Sequence, residues 1–153
     1  MIKLEEITAD NLEDVLKLKV SKNQENFVST TAYSLAQAYV YRENAYPFAI
    51  YADDILVGFI MFGFYESRNQ YTLWKFLIDK YHQNKGYGKT ALLLGIEYMK
   101  KQHDIKEMYT GVAIDNNVAE RLYQLVGFQL TGLVENGMKE LRYVFAKSES
   151  KRQ

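Results

Sequence analysis

The chain has 153 residues, enough for one domain that buries roughly two-thirds of the surface its unfolded form would expose. Nineteen basic and nineteen acidic residues cancel to a formal net charge of zero, which removes the broad positive field that nucleic-acid binding uses. The absence of cysteine excludes a disulfide framework, a thiolate metal site and a cysteine nucleophile together.

The N-terminus, MIKLEEITADNLEDVLKLKV, carries acids where a secretory signal needs basic residues and an apolar run, and no stretch approaches the ~20 apolar residues of a membrane span. A cytoplasmic protein that engages neither membrane nor nucleic acid is the expectation. The first helix is predicted to start near Asp10, because Asp10 and Glu13 have capping-box spacing and Leu12, Val15, Leu16 and Lys19 recur at helical intervals. After the polar break VSKNQENFVSTTAY, Ser34 and Gln37 repeat that spacing and predict a second helix running to about Glu43. PFAIYA and ILVGFIMFGFY flank Asp53 and Asp54 as a hairpin, and YTLWKFLID reads as a third strand. Thr90 to Lys101 is a helical pattern, Lys106 to Ile114 a strand, and Val118 to Val126 a helix. GFQLTGLV and MKELRYVFA form a last hairpin around Asn136 and Gly137. One domain over residues 1–146 results, with a charged tail from 147 to 153 expected to be disordered. The order is two helices, three strands, helix, strand, helix, two strands, with the strand–helix–strand unit near 71–114 expected to be parallel and right-handed.

Chemistry concentrates in YHQNKGYGKTALLL, residues 81–94, where two glycines and two lysines precede an apolar helix. Backbone amides gathered at a helix N-terminus favour an anion. Gly88, Lys89 and Thr90 fit the end of a Walker A loop, but its first glycine would fall on Gln83. Gly86, Gly88 and Ala91 match the dinucleotide fingerprint, with Glu107 near the place of the ribose-binding acid. That fingerprint follows its strand almost at once, whereas DKYHQNK separates Ile78 from Gly86 here. The remaining pattern is Q-x-x-G-x-G at Gln83, Gly86 and Gly88, followed some thirty residues later by N-x-x-A-x-x-L-Y-x-x-x-G-F at Asn116, Ala119, Leu122, Tyr123, Gly127 and Phe128.

These two spaced signatures, and the order of elements along nearly the whole chain, resemble the GNAT family of acetyl-CoA-dependent N-acetyltransferases. The resemblance implies an α/β fold, a mixed six- to seven-stranded sheet flanked by about four helices. It also implies acetyl-CoA as co-substrate, no metal, a small-molecule amine as acceptor and a possible homodimer. It places the coenzyme pyrophosphate on the loop Gln83, Asn84, Lys85, Gly86, Tyr87, Gly88 and Lys89, where glycine keeps bulk away from the anion. Lys80 and Asn84 stand where family members often have proline and glycine, and Asn84 tolerates a left-handed backbone better than most residues. By the same resemblance, Phe76, Leu77 and Ile78 splay from the neighbouring strand and offer backbone groups to the pantetheine arm, including an amide for the thioester oxygen. Asn116 is either a polar contact to that arm, a helix N-cap, or both.

Direct transfer needs a neutral amine, an oxyanion donor and a proton for the leaving thiolate. Tyr123 matches the family's acid near the sulfur. The base stays open: the strand LWKFL carries no acid, Asp79 sits at its end, where a capping or solvent role is the expectation, and Glu25 and Glu66 are available through a water relay. VSKNQENFVST, residues 20–30, is similar to the acceptor wall of bacterial spermidine/spermine (diamine) N-acetyltransferases, through Val20, Ser21, Asn23, Gln24 and Phe27. A polyamine acceptor is therefore expected, with Gln24, Glu25, Glu66 and Trp74 as candidate contacts. Another amine (a protein N-terminus, an aminoglycoside, an amino acid) or a non-catalytic coenzyme sensor are the alternatives.

Overall fold

The computed structural model describes residues 1–146, so the charged tail lies outside the described residues. A strand precedes the two predicted helices: β1 (Ile2–Glu5) turns Ile2 and Leu4 inward and pairs antiparallel with β2 (Ala45–Ala52). Four residues of alternation are too short a signal to stand out beside the acids that follow. The first helix, α1 (Leu12–Leu16), is a single turn that starts after Asn11 rather than Asp10. The Asn11 side chain accepts from Thr8 N at 2.8 Å and donates to Glu6 O at 3.0 Å, closing the turn before the helix. The second, α2 (Thr31–Val40), starts one turn earlier than its capping-box spacing suggests. Thr30 supplies the cap by accepting from Tyr33 N at 3.1 Å, while the buried Ser34 hydroxyl bonds back to Thr30 O.

The remaining elements are β3 (Ile55–Tyr65), β4 (Gln70–Ile78), α3 (Tyr87–His103), β5 (Glu107–Ala113), α4 (Asn117–Val126), β6 (Gln129–Glu135) and β7 (Met138–Val144). They form a seven-stranded sheet in the order β1-β2-β3-β4-β5-β7-β6, in which β4 and β5 are the parallel pair joined across α3. The mixed α/β sheet and the parallel unit match the expectation. Helices α3 and α4 cover one face, where Phe62, Leu92, Ile96, Met108 and Leu141 are buried. On the other face α1 and α2 pack over Phe59, Met61 and Leu77. Burial on both sides explains why β3 reads as a continuous apolar run rather than an alternation.

Two irregularities of β4 position the site. It pairs with β5 only at Thr72↔Tyr109 and Leu73↔Thr110. Beyond them β4 stays with β3 as far as Gly58↔Ile78, and β5 stays with β7 as far as Ala113↔Met138, so the sheet opens between their C-terminal halves. The second irregularity is a bulge: Met61↔Lys75 is followed by Phe62↔Leu73, leaving Trp74 unpaired. Trp74 packs with the α1/α2 cluster, and Lys75 also reaches α2, so two consecutive side chains share one face.

Candidate active site

The opening between β4 and β5 is the floor of a cleft of about 640 Å³ whose walls come from α3, α4 and the segment before α2. That volume suits a sizeable ligand. Phe76, Leu77 and Ile78 line it with the edge of β4 that β5 has left, so their backbone groups on that side have no ladder partner. Ile78 O is the exception, accepting from Gln83 Nε2 at 2.9 Å. The same Nε2 reaches Gln24 Oε1 at 3.0 Å, so Gln83 ties the glycine loop to both β4 and the segment before α2.

The N-terminus of α3 is built for an anion. Gly86 is its N-cap, at φ 80°, and no side chain caps it. Tyr87, Gly88 and Lys89 line the cleft in the first turn, where helical N–H groups have no partner within the helix. Asn84 takes the left-handed backbone, at φ 64°, that its side chain tolerates. A Cβ on Gly88 would come within 3.2 Å of Phe76 Cζ and 3.4 Å of Leu122 Cδ2, so this position points into the corner between β4 and α4. Gln83 and Asn84 line the cleft too; Lys85 is exposed and outside the lining. Asn116 caps α4 by accepting from Ala119 N at 3.3 Å and also lines the cleft, so its amide N–H groups are free for a second partner.

Tyr123 sits on α4 where the cleft deepens, beside Thr110 of β5. Burial pushes its phenol up to about 12, with the Thr110 hydroxyl opposing part of the rise. The proton is therefore held firmly at neutral pH.

Among the described residues no carboxylate lines this cleft. Asp79 is buried and acts as a tie: Oδ1 accepts from Lys19 N at 3.0 Å and Oδ2 from Tyr81 N at 3.2 Å. Glu25 is exposed and outside the lining, whereas Gln24, Phe27 and Trp74 are part of it. Glu66 borders a neighbouring cavity instead. Sequence reasoning missed Lys75, whose Nζ donates to Ser29 Oγ at 3.0 Å and lies 5.5 Å from the Tyr33 ring centroid. Desolvation lowers its pKa, and no carboxylate pairs with it among the described residues. A lysine inside an apolar strand was the available signal. Its charge disfavours a second cation close by.

An uncapped helix start, a split parallel pair and a buried tyrosine meet in one cleft, an arrangement suited to acyl transfer. Residues 12–128 match the sequence profile of the Acetyltransferase (GNAT) family, and the chain belongs to that family. It is 35% identical over 147 residues to a probable spermine N(1)-acetyltransferase of Bacillus subtilis subsp. natto, covering 90% of this chain and 95% of that protein. Identity to the spermine/spermidine N(1)-acetyltransferase of Bacillus subtilis is 34% over the same length and the same shares. Among solved structures, the fold is similar to spermidine N-acetyltransferase from Vibrio cholerae in complex with CoA and spermine, with a TM-score of 0.72 at 19% identity, covering 94% of this chain and 95% of that one. It is likewise similar to the PaiA N-acetyltransferase from Thermoplasma acidophilum in complex with coenzyme A, with a TM-score of 0.72 at 20% identity over 95% of this chain and 99% of that one.

Proposed function

We propose that this acetyltransferase moves the acetyl group of acetyl-CoA directly to a terminal primary amine of a polyamine such as spermidine or spermine. The loop from Gln83 to Lys89 would hold the coenzyme pyrophosphate, and the free edge of β4 the pantetheine arm. Bound there, acetyl-CoA supplies an activated thioester. A backbone amide of the Phe76 to Ile78 stretch, which lines the cleft, would stabilise negative charge on the thioester oxygen. The amine nitrogen attacks the carbonyl carbon, a C–N bond replaces the C–S bond, and Tyr123 gives its proton to the sulfur. The proton released by the nitrogen returns through solvent to the Tyr123 phenolate and closes the cycle; no carboxylate lines the cleft among the described residues, and His82 is the imidazole in its lining.

The observation that carries the acceptor class is the near full-length relationship to the two Bacillus polyamine acetyltransferases. Incubation with acetyl-CoA and a panel of amines, with thiol release as readout, tests it. Spermidine and spermine are expected to exceed a monoamine by ~10-fold or more in kcat/KM, the scale of one retained charge contact. Equal acetylation of monoamines or of a peptide N-terminus would remove the polyamine reading and leave the broader N-acetyltransferase. Coenzyme binding without thiol release from any amine would leave a coenzyme sensor.

The same reading makes this a cytoplasmic enzyme. It also allows a homodimer, for which β6 is the supporting feature: this edge strand is exposed along its whole length, with Leu130, Leu133 and Val134 uncovered. Sedimentation of the wild type as a dimer, and of Leu133→Lys as a monomer, is the expected pair of results. A monomer at tens of micromolar would dismiss the idea.

A further inference from the structure

Beside the acyl-transfer cleft, and sharing Trp74 and Lys75 with it, lies a second cavity of about 450 Å³ between α2 and the β3–β4 hairpin. Its walls are aromatic. Tyr65 packs on Trp74 with centroids 5.5 Å apart, and Tyr41 meets Trp74 edge-on at 6.4 Å. Trp74 reaches this place only because of the bulge, and because Gly63 leaves room: a Cβ there would come within 2.0 Å of the indole. At the border Glu66 is held by Asn44 Nδ2 at 2.8 Å, and no cation pairs with it among the described residues. Gln37 Oε1, also in the lining, is an enclosed acceptor with no donor.

We infer that this cavity is the subsite for the distal ammonium of the acceptor, an alkylammonium ion held by the rings of Tyr41, Tyr65 and Trp74, the Gln37 carbonyl oxygen and Glu66. The inference rests on the polyamine reading above and locates that substrate's second charge. Three π-systems and a carboxylate attract a cation, the one cation in the lining among the described residues, Lys75, has its Nζ turned to Ser29 and Tyr33, and an ammonium N–H supplies the donor that Gln37 lacks. Trp74 Nε1 is enclosed without an acceptor as well, and an ammonium does not satisfy it.

The position of Lys75 separates the two ends of the substrate. Its Nζ lies over Tyr33, whereas the cavity is lined by Gln37 and Tyr41, one and two turns further along the same stripe of α2. At ~1.5 Å of rise per residue, Gln37 and Tyr41 lie roughly 6 and 12 Å along α2 from Tyr33, toward which the Lys75 ammonium is turned while its side chain borders the cavity. Lys75 thus favours a neutral amine near the thioester, while the cage holds a charged one several methylenes away. Opposite preferences at the two ends fix which nitrogen is acetylated.

Trp74 is the single tryptophan of the chain, so its intrinsic emission reports on the cage directly. Titrating CoA-saturated protein with spermidine is expected to change that emission saturably, and butylamine at the same concentrations is not. Glu66→Gln and Tyr41→Leu, both at exposed positions that leave the fold intact, should each weaken the spermidine response ~10-fold and lower the spermidine-to-butylamine ratio of kcat/KM by a similar factor. If spermidine is preferred by the wild type but the variants keep that ratio within twofold, the subsite is refuted and the polyamine reading stands. If spermidine is not preferred, yet shifts Trp74 emission in a manner that Glu66→Gln abolishes, the subsite stands and the acetylation reading fails. No response of Trp74 to spermidine overturns the subsite in either case.

Discussion

Replacing Tyr123 with phenylalanine is expected to lower turnover by ~10²-fold or more while leaving coenzyme affinity nearly unchanged, because the substitution deletes the hydroxyl and keeps the ring. The ring is part of the core, lying 5.8 Å from Phe128 between centroids, so the fold has no cavity to repair. Turnover within twofold of wild type would reduce Tyr123 to a packing residue. The same variant has a second signature. The phenol's pKa rises from an ordinary value of 10.0 to about 12 on folding, so both states keep the proton below pH 10. Between those values the unfolded chain ionises first, and the folded state loses up to ~3 kcal/mol of relative stability. Urea denaturation at pH 9.5 and 11.5 should show Tyr123→Phe losing less stability over that interval than wild type. Tyr46 and Tyr109, also raised by burial, contribute alike to both proteins and cancel in the comparison.

Gly88→Val should weaken acetyl-CoA binding by ~10-fold or more and shift Tm by only a few degrees. The added Cβ meets Phe76 and Leu122 at ordinary-to-tight distances, so the extra methyl groups must fill the cleft at the first turn of α3. There they displace an anion from the amides that would hold it. Calorimetric titration with coenzyme A measures the loss. A folded variant that binds the coenzyme like wild type would remove the loop from the coenzyme site.

Much of this was legible along the chain because it depends on neighbours in sequence. The periodicities placed most elements to within a few residues, and the spacing of Gln83, Gly86 and Gly88 marked the strand-to-helix turn. The left-handed backbone at Asn84 and Gly86 falls on residue types that tolerate it. Asn116 announced its cap in the same local way. Where the sequence misled, a longer-range contact had won: Thr30 rather than Ser34 caps α2 because Ser34 is buried beneath the helix, and β1 exists because β2 is there to pair with it.

The residues around the acceptor lie outside what any local pattern carries. Glu25 and Glu66 look equivalent in sequence, yet one faces solvent and the other borders an aromatic cavity. Asp79 stood at a strand end where a capping role was the expectation, and its oxygens do accept from the backbone amides of Tyr81 and of the distant Lys19, the second of which no local pattern carries. The sequence by itself determined the family, the glycine turn that opens α3 and the identity of the buried tyrosine, since each signature is set by residues within a few turns of one another and the element order by local periodicity. Only the tertiary structure decided that Trp74 and Lys75 share a face and that β4 parts from β5, because a bulge and a splay are agreements between strands distant in the chain.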